Sequence, residues 1–143
     1  MRPALKLTLA LLLIVLLAFA YFTERELNII DKALAGKTIQ HEAEFVAMIR
    51  NACLSYSTEY NRLPPDSDNK RLTAALTGEN ARHISFLWLS QSQLNSNNEM
   101  IDHWGTPLKI IFQGTSGIQI TSAGPDKIFG TADDIVTNPT FSR

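Results

Sequence analysis

At 143 residues the chain has room for one compact domain plus an apolar segment, and not for two domains with full cores. Net charge is −1, from 13 basic and 14 acidic residues without strong clustering. This excludes the basic stripe of a nucleic-acid binder, so no nucleic-acid partner is expected. The single cysteine, Cys53, excludes an internal disulfide framework.

The N-terminal segment, residues 1–22, carries the strongest signal. Arg2 and Lys6 precede an apolar run from Leu7 to Phe22 that is interrupted only by Thr8. Sixteen helical residues span about 24 Å, and adding Ala4 and Leu5 with Lys6 snorkelling extends this to about 28 Å, close to the thickness of a hydrocarbon core. Basic residues before the run, and Glu24 and Glu26 flanking Arg25 after it, predict a cytoplasmic N-terminus and an exported remainder. The expected location is therefore a bacterial inner membrane, crossed once, with the C-terminal domain periplasmic. Ala18-Phe19-Ala20 also fits the small-x-small pattern of signal peptidase, so a secreted or periplasmic product cut at Ala20 is the alternative. The length of the run favours an uncleaved anchor.

Residues 23–62 read as a long helical segment. Leu27, Ile30 and Leu34 keep helical spacing, and Gly36 is a place where the helix can kink or break. From Ile39 to Tyr60 the stripe Ile39, Ala43, Val46, Ile49, Cys53, Tyr56, Tyr60 is widened by Phe45, Met48 and Ala52, the width needed to lie across a sheet. Cys53 lies on that stripe and reads as a buried small hydrophobe rather than a reactive thiol. Leu63-Pro64-Pro65 requires the helix to have ended.

Residues 63–143 hold a variable region and then a change of period. Asp68 or Asn69 can cap a short helix, Lys70 to Thr77, with Gly78 ending it, and the Asn/Ser-rich stretch Gln91 to Glu99 reads as loop. Alternation then takes over. Leu108, Ile110 and Phe112 share one strand face, Ile118 and Ile120 share the next, and Gly114-Thr115-Ser116-Gly117 joins them as a hairpin. Ile135-Val136-Thr137 makes a short third strand before Asn138-Pro139. The fold class predicted is α+β, a long helix packed on a small antiparallel sheet.

Between the second and third strands lies Ser122-Ala123-Gly124-Pro125-Asp126-Lys127-Ile128-Phe129-Gly130-Thr131-Ala132-Asp133-Asp134. Three carboxylates so close together repel unless a cation or hydrogen bonds balance them. Gly124 and Gly130 permit sharp turns that aim carbonyl oxygens at one point. Carboxylate and carbonyl without histidine or cysteine is a hard-oxygen set suited to calcium, Ca2+, although it does not match an EF-hand loop. The spacing leaves open a second reading, in which Asp126, Asp133 and Asp134 form Asx-turns in a solvated loop.

Asp102-His103-Trp104-Gly105-Thr106-Pro107, the two strands and the Ser-Ala-Gly-Pro-Asp…Gly-Thr-Ala-Asp-Asp loop resemble the major pseudopilin family of type II secretion, the general secretion pathway G family. Tyr56 through Leu63-Pro64 resembles the helix end of that family, and the resemblance spans roughly residues 40–137, strongest in the last third. It implies Ca2+ ligation by the side chains of Asp126, Asp133 and Asp134 and by the backbone carbonyls of Ala123 and Ile128. It also implies a pseudopilin-like structural subunit, with a secretion-like machinery or self-assembly supplying protein partners. The chain departs from the family at its N-terminus, where its first glycine is Gly36 and no acidic residue interrupts the apolar run, and in the later turn, where His103 stands in place of the family's proline.

Other groupings point away from catalysis. His41, His83 and His103 have no ligand spacing to one another or to Cys53, and Ser122 has no obvious base. Trp88 and Trp104 read as core or turn packing. The chain is therefore not expected to be an enzyme. An exported ligand- or protein-binding module unrelated to filament assembly is the alternative function.

Overall fold

The computed structural model describes residues 3–64, 67–113 and 117–137, with the side chains of residues 3–11 outside that description. The elements in chain order are α1 (Pro3–Tyr60), α2 (Asn69–Leu76), a single 3-10 turn (Gln91–Gln93), β1 (Lys109–Gln113), β2 (Gly117–Ser122) and β3 (Ile135–Val136). Two compact units divide the chain, Met1–Lys37 and Thr38–Arg143.

The first unit is helical. Its large apolar side chains, from Leu12 through Phe22 and on to Leu27, Ile29, Ile30 and Leu34, are exposed. The helix runs through Gly36 without a break, because a lone glycine costs only about 1 kcal/mol within an otherwise favourable helix. Among the described residues no helix is long and apolar enough to cross a membrane. The first half of the segment read as an anchor falls on side chains outside the description.

In the second unit the C-terminal part of α1 supplies one wall of the core. Phe45, Val46, Ile49, Ala52, Cys53 and Tyr56 are buried in one cluster with Leu72, Ala75 and Leu76 of α2 and with Met100, Leu108, Ile110, Ile118 and Ile120. The expected stripe holds from Val46 onward. Ile39, Ala43 and Met48 are exposed, and the inward position one turn before Val46 belongs to Glu42. The helix stops at Tyr60 and Asn61 takes a left-handed φ of 55°, ahead of Leu63-Pro64.

Asp68 caps α2, accepting from the Arg71 N–H at 3.0 Å, and Gly78 follows the helix with φ of 120°. Asn69 is not the cap but the first residue of α2, and it is buried. Its Nδ2 donates to the Met100 and Leu108 carbonyls at 2.8 and 3.0 Å, and its Oδ1 accepts the Met100 N–H at 2.7 Å. One side-chain amide thus satisfies three backbone groups that lead into the sheet.

The sheet is antiparallel in the order β1-β2-β3. The pairing of Ile110 with Ile120 and Phe112 with Ile118 places both predicted apolar sets on one face. β3 pairs Val136 with Thr121 and Ile135 with Ser122. The residues predicted to turn the hairpin, 114–116, and the stop at Asn138-Pro139 lie outside the described residues. Trp88, expected in the core or a turn, is 85% exposed, because Leu87 takes the inward position in this extended stretch.

Asn69→Ala should strand the Met100 N–H and the Leu108 carbonyl, while the Met100 carbonyl keeps the Leu108 N–H, and cost about 2–5 kcal/mol of stability. A denaturant midpoint shift at unchanged m-value is the measurement that checks it.

Candidate functional site

The Asp102–Pro107 turn is built around one carboxylate. Asp102 is 3% exposed. Its Oδ1 accepts the N–H groups of Trp104 and Thr106 at 3.1 and 2.7 Å, and its Oδ2 accepts the Ser122 hydroxyl at 3.0 Å. Backbone bonds from Asp102 N to Thr106 O and from Gly105 N to Asp102 O close the turn, with Gly105 at φ 87°. Ser122 Oγ in turn accepts the Gly124 N–H at 3.2 Å. The chain of bonds therefore runs from the turn, across β2, into the first residues of the acidic loop.

The loop closes on itself. Gly124 has φ of 69°, and a Cβ there would run into the Asp133 carbonyl oxygen and lie 2.8 Å from its Oδ2, so no larger residue fits. Asp133 Oδ2 accepts the Asp126 N–H at 3.1 Å and its Oδ1 accepts the Thr131 hydroxyl at 2.6 Å. Asp126 Oδ1 accepts from Ile128 N at 2.8 Å, the spacing of an Asx-turn, and Asp134 Oδ2 accepts from Gly130 N at 2.8 Å. The Thr131 hydroxyl, and with it the Asp126 N–H, holds the Asp133 carboxyl below the usual carboxylate range.

The five residues read as Ca2+ ligands lie in this one loop but in unlike settings. Ala123 is fully buried, Asp126 and Ile128 are exposed, and Asp133 and Asp134 are half-buried. Asp134 Oδ1 is buried without a hydrogen-bond partner. Among the described residues no three acidic, histidine or cysteine side chains converge as a metal-holding group. All the loop's donors are hard oxygens, and the orphaned Asp134 oxygen is the feature a cation would satisfy.

Glu42 is a functional candidate that the sequence reading passed over. It is 3% exposed, and its Oε2 accepts the His103 N–H at 3.0 Å while Oε1 is buried without a partner. Burial, and then the neighbouring Asp102 charge, push its carboxyl above the ordinary value of 4.5 despite the His103 bond. The signal was available: Glu42 precedes Val46 by four residues and Ile49 by seven, on the inward seam of α1. Beside it opens a cleft of about 440 Å³ with Phe45, Ile101 and Asp102 in its walls, and with the exposed His41 and His103 also lining it.

The remaining candidates for chemistry are occupied structurally. Cys53 is buried and its thiol is pushed up to about 12 by desolvation. Ser122 is buried between Asp102 and Gly124.

Scanned against protein-family models the chain matches none, and no curated protein matches it in sequence. Among solved structures it is similar to the major pseudopilin from the type 2 secretion system of enterohaemorrhagic Escherichia coli. The two share 20% sequence identity, with 78% of this chain and 91% of that chain covered at a TM-score of 0.49.

Gly124→Ala should destabilise the loop by about 2–4 kcal/mol, since it adds both a steric clash and a left-handed φ. Thr131→Val should raise the Asp133 carboxyl toward its ordinary value, as read by carbon-detected NMR titration. A raised carboxyl in the fold favours the protonated state. The Glu42 contribution to stability is therefore full below pH 4.5 and is lost as pH rises through the elevated value. Glu42→Gln should flatten that decline and melt higher than the parent chain at alkaline pH, which paired thermal scans across pH would show.

Proposed function

We propose that the protein is a membrane-anchored, pseudopilin-like structural subunit of a type II secretion-like machinery, or one that assembles with its own copies. The observation that carries this reading is the continuity of its two motifs. The Asp102 turn reaches the acidic loop through Ser122, and the loop closes by seating Asp133 on Gly124. Such a joint serves to fix a sheet's end and present a rigid surface, not to turn over a substrate. The buried Cys53 thiol and the doubly bonded Ser122 hydroxyl support a non-enzymatic role.

Anchoring is read from the apolar run behind Arg2 and Lys6, whose described part, Leu12 to Phe22, leaves its large side chains exposed. A contiguous apolar surface of that kind calls for a lipid or protein cover. Basic residues ahead of the run support an exported, periplasmic second unit in this reading.

In this reading Ca2+ binds the loop through Asp126, Asp133 and Asp134, with the carbonyls of Ala123 and Ile128 as further ligands. Ca2+ would neutralise the acidic charge there and stabilise the folded form selectively. The orphaned Asp134 Oδ1 and the all-oxygen donor set support it. An exported binding module outside any filament is the second reading, favoured by the cleft beside Glu42.

Thermal unfolding of the full chain in non-ionic detergent tests the loop. With a Kd of about 10⁻⁴ M, about 1 mM Ca2+ should add about 1.4 kcal/mol over chelator, a Tm rise of a few degrees. Asp133→Ala and Asp134→Asn should each abolish the rise. Equal melting in Ca2+ and chelator would remove the metal from the reading. Failure of the chain to crosslink with secretion components or itself in membranes would remove the assembly role.

A further inference from the structure

The geometry points to the cleft between α1 and the Asp102–Pro107 turn as a binding site for an organic cation, a guanidinium or primary ammonium on a short alkyl stem, with Glu42 as its anchor. This is independent of the Ca2+ loop and of membrane anchoring. Three observations meet there. Glu42 is more than nine-tenths buried with one carboxylate oxygen bound to the His103 N–H and the other unsatisfied. Asp102, likewise buried, lends a second negative charge to the same wall, and among the described residues no lysine or arginine pairs with either group. The cleft of about 440 Å³ exceeds what a bare ion needs, and Phe45 and Ile101 offer apolar surface for an alkyl stem.

Chemistry selects the ligand. A buried carboxylate oxygen without a donor is costly, and a charge-assisted bond from an N–H cation removes that cost most effectively. A quaternary ammonium has no N–H to give. Burial holds the Glu42 carboxyl above its ordinary value, so a bound cation competes with the proton there. Binding therefore strengthens as pH rises. The other titratable groups that face the cleft are Asp102 on the turn and the exposed His41 and His103.

The test is titration of the isotopically labelled full chain in non-ionic detergent with n-butylguanidinium at constant ionic strength. The His103 amide, which donates to Glu42 Oε2, is the reporter. A saturable shift is expected there, with affinity rising several-fold as pH is raised from about 4.5 and falling about tenfold or more in Glu42→Gln. Tetramethylammonium should produce no saturable shift. Comparing a capped Gly-Arg-Gly peptide with spermidine separates the sources: tighter binding of the peptide assigns the site to a protein side chain, and tighter binding of spermidine to a free amine. No saturable shift at His103 in the parent chain overturns the proposal. So does equal binding in folded Glu42→Gln, or an affinity that does not rise with pH, the last needing no variant.

Discussion

Asp102 holds a nearly inaccessible carboxylate against three donors, the Trp104 and Thr106 N–H groups and the Ser122 hydroxyl. Removing such a group from water is costly, and the cost is met only while all three donors stay in place. The turn, the exit of β2 and the entry to the acidic loop are thereby fixed together. β1 starts from a turn whose geometry Asp102 sets, and Gly124 begins the loop with its N–H already committed to Ser122. What reads in sequence as two separate motifs, twenty residues apart, is one hydrogen-bonded joint.

Much of the fold was legible because it obeys simple periods. The 3.6-residue spacing from Val46 to Tyr56 finds the core wall of α1, and the alternation of Leu108, Ile110, Phe112, Ile118 and Ile120 finds the inner face of the sheet. Asp68 and Gly78 bracket α2 by local capping chemistry that needs no tertiary knowledge. Periodicity fails where a residue's neighbours are distant in sequence. Asn69 looks like a cap, yet its amide is claimed by Met100 and Leu108, more than thirty residues away. Trp88 looks like core, yet Leu87 takes the inward position in an extended stretch without its own pattern.

The candidate sites divide in the same way. The acidic loop could be found from composition: within it Asp126 does form an Asx-turn, and Asp134 retains an oxygen without a donor. The partners of Asp133 could not be foreseen, because they follow from the Gly124 backbone turning back under it. Glu42 was hidden by its type. A glutamate on a helix is assigned to the solvent face by habit, and only its phase relative to Val46 and Ile49 places it inside.

Cys53 gives the molecule a kinetic property. Its sulfur is wholly enclosed and its thiol is pushed up to about 12, so the reactive thiolate is scarce for as long as the core stays shut. Any reagent that modifies it must wait for the helix to lift from the sheet. The rate of labelling then reports how often that happens, with a single natural atom as the clock. In an oxidising compartment the same enclosure keeps an unpaired sulfur from bonding to its neighbours, so freedom from stray disulfides depends on the lifetime of the folded state.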